Sequence, residues 1–156
     1  MHEQYLIPFL QGKNPDHQGR FHIDILAFSN EELEQWHDYI QWLFPLTDKS
    51  YGMPRAPILE DAEAIELLKA DETVLQNVRA ALVRMQRFYT ETDHWLERNN
   101  HNHRRITRIL KSTALLGLTE EAEDFHIFIL RRVEMAQPVT EESLGFWQES
   151  IKGIKS

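Results

Sequence analysis

Along most of the chain, apolar residues return every third or fourth position, the spacing of one buried helical face. From Ser29 onward, Leu33, Trp36, Ile40, Leu43 and Phe44 fall on such a face. Ser29 and Glu32 have the spacing of a capping box, and Pro45 ends the pattern, so one helix is predicted over 29–44. A short acidic helix follows over 60–70, with Ile65, Leu67 and Leu68 inward. Asp71 caps the next, whose stripe is Leu75, Val78, Leu82, Met85 and Tyr89, and Thr92 starts a short helix carrying Trp95 and Leu96. Asn99 or Asn100 caps a helix with Ile106, Ile109, Leu110, Thr113 and Leu116 on its buried edge, and Gly117 terminates it. Thr119 caps another, with Phe125, Phe128, Ile129 and Val133 inward and Pro138 beyond its end. Thr140 caps a last amphipathic segment ending near Ile151.

Two stretches are less regular. Pro8, Gly12, Pro15 and Gly19 punctuate residues 1–20, which read as an irregular segment. In the run after it, Phe21, Ile23 and Ile25 alternate as in a strand, while Ile23 and Leu26 suit a helix; the helical neighbours favour helix. The loop over 45–59 contains Pro45, Gly52, Pro54 and Pro57, and its apolar residues Leu46, Tyr51, Met53, Ile58 and Leu59 predict that it packs down. Strand signals are almost absent and connections are short. The expected fold is all-α, a single domain over 1–156 built as a bundle of about six to seven helices with an irregular N-terminal segment.

Composition bounds this picture. A chain of 156 residues with 42% hydrophobic and 27% charged residues has the make-up of an ordinary globular domain with a core of its own. No apolar run approaches the roughly 20 residues of a transmembrane helix, and Met1-His2-Glu3-Gln4 does not open a secretory leader. A soluble, cytoplasmic protein is expected. The absence of cysteine excludes disulfides and thiolate metal sites. The net charge of −8 argues against nucleic acid as a partner. Charge is unevenly spread: Glu60, Asp61, Glu63, Glu66, Asp71 and Glu72 crowd one stretch. Arg98, Arg104, Arg105, Arg108 and Lys111 occupy an acid-free one. The simpler reading is two solvated faces of opposite sign, attracting each other within the fold.

Candidate chemistry concentrates in two blocks. Projected on one continuous helix at about 100° per residue, Leu33, His37, Ile40 and Phe44 share a face and Trp42 points almost oppositely. Trp42 then either packs under the loop 46–59 or, with His37 and Gln41, lines an aromatic pocket. A histidine on an apolar face is more often a hydrogen-bonded core residue than a ligand contact. The second block is Asn99-Asn100-His101-Asn102-His103-Arg104-Arg105. At a helix start, free N–H groups and cations together make an anion site, with His101, Asn102, Arg105 and Arg108 as contacts. The plainer alternative is caps and turn formers, with arginines that pair with acids. His101 and His103 lack a recognisable zinc spacing, and the positive helix end disfavours a cation, so no metal or cofactor is expected. No nucleophile elbow, phosphate loop or dinucleotide fingerprint occurs. The expected function is recognition of a small ligand or short peptide. The alternatives are an enzyme on a small anionic substrate with His37 or His101 as general base, and a purely structural or interaction protein.

The same blocks carry a family resemblance. Phe9, Gly12, Pro15-Asp16, Gly19-Arg20, Asp24-Ile25 and Leu33-Glu34 lead into His37-Asp38-Tyr39-Ile40-Gln41-Trp42-Leu43-Phe44-Pro45. Ala56-Pro57, Trp95-Leu96, Asn100-His101-Asn102, Arg105-Ile106-Thr107-Arg108-Ile109-Leu110-Lys111-Ser112 and Leu116-Gly117-Leu118 complete it. With these residues the chain resembles the conserved region of the opioid growth factor receptor family, most clearly over 9–135. The resemblance implies a helical domain and, in animals, receptor activity: binding of the pentapeptide Met-enkephalin by a receptor associated with the nucleus and its membrane.

Overall fold

A computed structural model describes residues 3–47, 56–136 and 141–152. Among them are nine helices and no strand, so the all-α expectation holds with more and shorter helices than the pattern predicts. They are α1 (Glu3–Leu10), α2 (His22–Leu26), α3 (Asn30–Gln35), α4 (Ile40–Leu43) and α5 (Ala62–Ala70), then α6 (Glu72–Glu91), α7 (His101–Leu115), α8 (Thr119–Met135) and α9 (Glu141–Lys152). The chain divides into two compact units, one ending at Arg84 and one beginning at Met85.

In the first unit, the segment read as irregular begins with a helix. Leu6, Phe9 and Leu10 stand one turn apart and are fully buried. That burial outweighs the missing donor of Pro8, which lies inside α1. After it, residues 11–21 are irregular as expected. Asp16 organises them: its Oδ1 accepts from the backbone N–H of Gln18 (2.9 Å) and Arg20 (3.0 Å), closing a tight turn in which Gly19 takes φ 76°. The run at 21 is helical, and α1 packs against α4.

The helix predicted over 29–44 is two helices. The Ser29–Glu32 capping box forms as the spacing requires, with both bonds at 3.0–3.1 Å. Helix α3 nevertheless stops at Gln35, and Trp36 turns extended (φ −80°, ψ 141°). The break is satisfied rather than frayed. The Leu33 carbonyl, which a continuous helix would bond to the N–H at position 37, accepts instead from the buried Tyr39 hydroxyl at 2.7 Å. Asp38, inside the break, is held by Arg20 (3.1 Å) and by His17 (3.1 Å). The faces projected for an unbroken helix therefore do not apply. His37 is exposed and Trp36 half-exposed, while all four residues of α4, Ile40, Gln41, Trp42 and Leu43, are buried.

Helix α5 is capped by Asp61, which accepts from the Glu63 N–H (2.9 Å). It buries Ala64 and Leu68; Leu67, expected inward, is 65% exposed. Asp71 caps α6 through the Val74 N–H (3.2 Å) and accepts from Gln11 (2.9 Å), which holds its carboxyl below the usual range. The buried side of this part of α6 is Val74, Val78, Ala81 and Leu82, with Leu75 at its margin. Arg84 reaches back to the Phe28 carbonyl (2.7 Å) and to Asn30 (3.0 Å).

The second unit is a packing of α7 against α8 and α9, completed by the last turns of α6. Asn100 is the N-cap of α7, accepting from the Asn102 N–H (2.9 Å), and Gly117 ends it at φ 84° as the sequence predicts. Trp95 lies in a turn rather than a short helix, fully buried, with its indole N–H on the Thr92 carbonyl (3.0 Å). Helix α8 begins at Thr119 with Leu118 as N-cap, and buries Phe125 and Ile129. In α9, Trp147 and Ile151 are buried; its expected cap Thr140, like Pro138 and residues 48–55 of the proline-rich loop, lies outside the described residues.

The pinning of the break gives a direct expectation. Arg20→Ala leaves the Asp16 and Asp38 carboxylates, 0% and 15% exposed, without their common counter-charge. A loss of about 3–5 kcal/mol is expected, as for breaking a buried ion pair, read as a fall in the urea midpoint. A loss under about 1 kcal/mol, the range of an exposed pair, would mean that something else holds Asp38.

Candidate functional site

Each unit carries one polar–aromatic cluster. In the first, Arg20 donates through Nε to Asp16 (2.7 Å) and through a terminal nitrogen to Asp38 (3.1 Å), and reaches the Asp38 carbonyl (3.3 Å). Burial by itself disfavours its charge. The two carboxylates more than offset this, so its pKa is raised. His17, on the turn that Asp16 closes, meets the second Asp38 oxygen at 3.1 Å and lies flat on Trp42, ring centroids 5.7 Å apart and planes 5° from parallel. Phe9 also meets Trp42, edge-on at 5.2 Å, and beyond Phe9 stands His22 (5.7 Å). Trp42 thus packs on rings from the N-terminal segment. His22 is buried, its Nε2 has no hydrogen-bond partner among the described residues, and burial lowers its pKa from 6.5 to about 4.

In the second unit, the cluster centres on Asn102, which is fully buried. Its Oδ1 accepts from the Tyr89 hydroxyl (3.1 Å) and from Arg105 (3.4 Å), and its Nδ2 donates to the Asn100 carbonyl oxygen of the side chain (2.9 Å). One turn of α7 therefore ties its own cap, Arg105 and the end of α6. His103 sits beside it, Nε2 on the Trp95 carbonyl (2.8 Å) and Nδ1 against Ser143 of α9 (3.3 Å). The His103 carbonyl accepts from the Trp147 indole (3.1 Å). Burial holds the His103 pKa below the usual value, against the opposing pulls of the Trp95 carbonyl and the Glu97 charge. Arg132 closes the cluster on the carbonyls of Tyr89 (3.2 Å) and Thr92 (2.9 Å).

Of the residues singled out by sequence, His37, Gln41 and Trp42 fall in the first unit, and His101, Asn102, Arg105 and Arg108 in the second. His37 and His101 are exposed and Arg108 half-buried; Gln41, Trp42, Asn102 and Arg105 are buried. The geometry joins Asn102 directly to Arg105 and brings His101 Nε2 to 3.4 Å from Asn102. Asp16, His17, Arg20 and His22, the partners of the first cluster, were missed as site residues. Their one local signal is an aspartate and a glycine spaced to close a turn, and pairing across 21 positions has no periodicity to reveal it. Among the described residues, no group of three or more metal-ligating side chains could hold an ion, and no helix is long and apolar enough to cross a membrane.

These features define an all-helical fold with a polar–aromatic cluster in each unit. The sequence profile of the opioid growth factor receptor (OGFr) conserved region matches residues 21–91 and 75–155, and the chain belongs to that family. The opioid growth factor receptor of Rattus norvegicus is 37% identical over 103 residues, 55% of this chain and 18% of the rat protein. Opioid growth factor receptor-like protein 1 of Mus musculus is 32% identical over 141 residues, 78% of this chain and 30% of the mouse protein. The Homo sapiens opioid growth factor receptor is 31% identical over 104 residues, 55% and 15% of the two chains. The chain thus spans less than a third of the length of these relatives. No solved structure matches it.

Two expectations test the clusters. The folded state holds His22 neutral while the unfolded chain takes up its proton below the ordinary pKa. The stability this contributes is full above pH 6.5 and is lost as pH falls towards 4, on the order of 3 kcal/mol in all. Thermal midpoints measured across that window should fall less steeply in His22→Phe than in the wild type; equal slopes would show that His22 is not the titrating group. Asn102→Ala removes the acceptor shared by Tyr89 and Arg105 and should cost about 2–3 kcal/mol, the penalty of stranding buried donors, measured by chemical denaturation.

Proposed function

We propose that this chain is an opioid growth factor receptor-like binding domain that recognises a short peptide or small anionic ligand. The supporting observation is family membership: the relatives it matches are named as receptors, and the family region covers residues 21–155. Within this reading the exposed His37 and His101 and the half-buried Arg108 meet the ligand. Gln41, Trp42, Asn102 and Arg105, being buried, fix the local structure that presents them. A bound carboxylate or phosphate would be held by cations near the start of α7, where the positive end of the helix dipole adds to the favourable field.

Isothermal titration calorimetry of the whole chain against Met-enkephalin and a panel of small carboxylates and phosphates tests this reading. Saturable binding weakened roughly tenfold by Arg108→Ala or His37→Ala, of the order of one charge-assisted hydrogen bond, is expected. His37 is exposed; Arg108 is half-buried with its Nη2 enclosed, so the melting temperature of Arg108→Ala separates lost binding from a disturbed fold. Absence of binding across the panel, or binding indifferent to both variants, overturns it.

A further inference from the structure

We infer that the outer face of α7 is a docking surface for an acidic, extended peptide segment of a partner protein. Helix α7 contains no aspartate or glutamate from His101 to Leu115. At about 100° per residue, His101, Arg104, Arg108 and Lys111 fall within about 80° of one another, along roughly 15 Å of helix. Arg104 and Lys111 are exposed and have no hydrogen-bond or ion-pair partner among the described residues. Of the other solvent-facing cations, Arg98 and Arg131, which lie off this helix, are likewise without an ion pair among the described residues, while three on other helices are paired. Lys69 pairs with Glu66 (3.7 Å), Arg79 with Glu72 (3.2 Å) and Arg87 with Glu91 (3.5 Å), each on its own helix. The chain has 25 acids against 17 lysines and arginines, so a helix face stripped of acids is a local exception to its composition.

Charge complementarity selects the occupant. An extended segment advances about 3.3 Å per residue, so carboxylates on alternate residues of a five-residue stretch match the span of Arg104, Arg108 and Lys111. Nucleic acid fits less well, because its long run of phosphates would also meet the field of a domain with net charge −8. A short acidic peptide engages the basic face alone. This goes beyond the ligand-binding reading above: Arg104 and Lys111 are no part of that set, although they share a helix face with His101 and Arg108.

The test is fluorescence anisotropy with the whole chain and three labelled probes: a peptide of alternating glutamate and glycine, its lysine counterpart, and single-stranded DNA of similar length. The acidic peptide should bind, the lysine peptide should not, and raising salt should weaken binding as for exposed ion pairs. The charge-reversed double variant Arg104→Glu, Lys111→Glu should bind it at least roughly tenfold more weakly. Because both positions are solvent-exposed, its melting temperature should stay near that of the wild type; a neutral double variant, Arg104→Gln with Lys111→Gln, provides the same reading if charge reversal disturbs folding. No binding of the acidic peptide, binding unaffected by both double variants, or DNA bound as tightly as the peptide overturns the inference. Should Met-enkephalin or a small anion bind in calorimetry while the acidic peptide does not, this inference alone fails.

Discussion

Arg20 is the residue on which the first unit turns. Its guanidinium joins Asp16, which closes the N-terminal turn, to Asp38, which sits in the gap between α3 and α4. A buried pair of this kind contributes little net stability relative to an apolar substitute, because desolvation opposes the attraction. What it supplies is position. With Asp38 held, the chain leaves the helical path at Trp36, the Tyr39 hydroxyl takes over the Leu33 carbonyl, and α4 enters the core on every side. Trp42 then lies between Phe9 and His17.

The second unit uses neutral hydrogen bonds for the same task. Asn102 and His103 are adjacent on the first turn of α7 and both are turned inward. Asn102 collects Tyr89, Asn100 and Arg105, while His103 spans from the Trp95 carbonyl to α9. A helix end carries backbone groups that need partners. Polar side chains concentrated there satisfy each other and the backbone together, which leaves the opposite face of α7 free to carry charge. The separation of buried polar residues from exposed cations along one helix is what gives that face its character.

The two clusters also explain why polar residues fill the blocks that carry the family resemblance. In His37–Pro45, Asp38 is an anchor and Tyr39 a cap for a carbonyl six residues away by sequence number. In the α7 block, Asn100 caps and Asn102 cross-links. Structural duty thus falls on the buried members of each block, which set the backbone, while the exposed members face solvent.

Much of the helical content is determined by the sequence alone, because capping and termination are local. Ser29 and Glu32, Asn100, Gly117 and the apolar spacing of α7 and α8 act within a few residues, and each does what its chemistry predicts. Three features are decided only in the tertiary structure. Pro8 argues locally against α1, yet burial of Leu6, Phe9 and Leu10 overrides it. The periodicity of 29–44 favours one helix, yet the bonds of Asp38 to Arg20 and His17 come from 18 and 21 positions away and divide it. Trp42, placed by that periodicity opposite Leu33, His37, Ile40 and Phe44, is buried against Phe9 of α1 and His17 of the following turn. Local pattern measures the preference of a segment in isolation; a buried charge or ring must find its partner, and the partner's distance along the chain leaves no trace in the pattern.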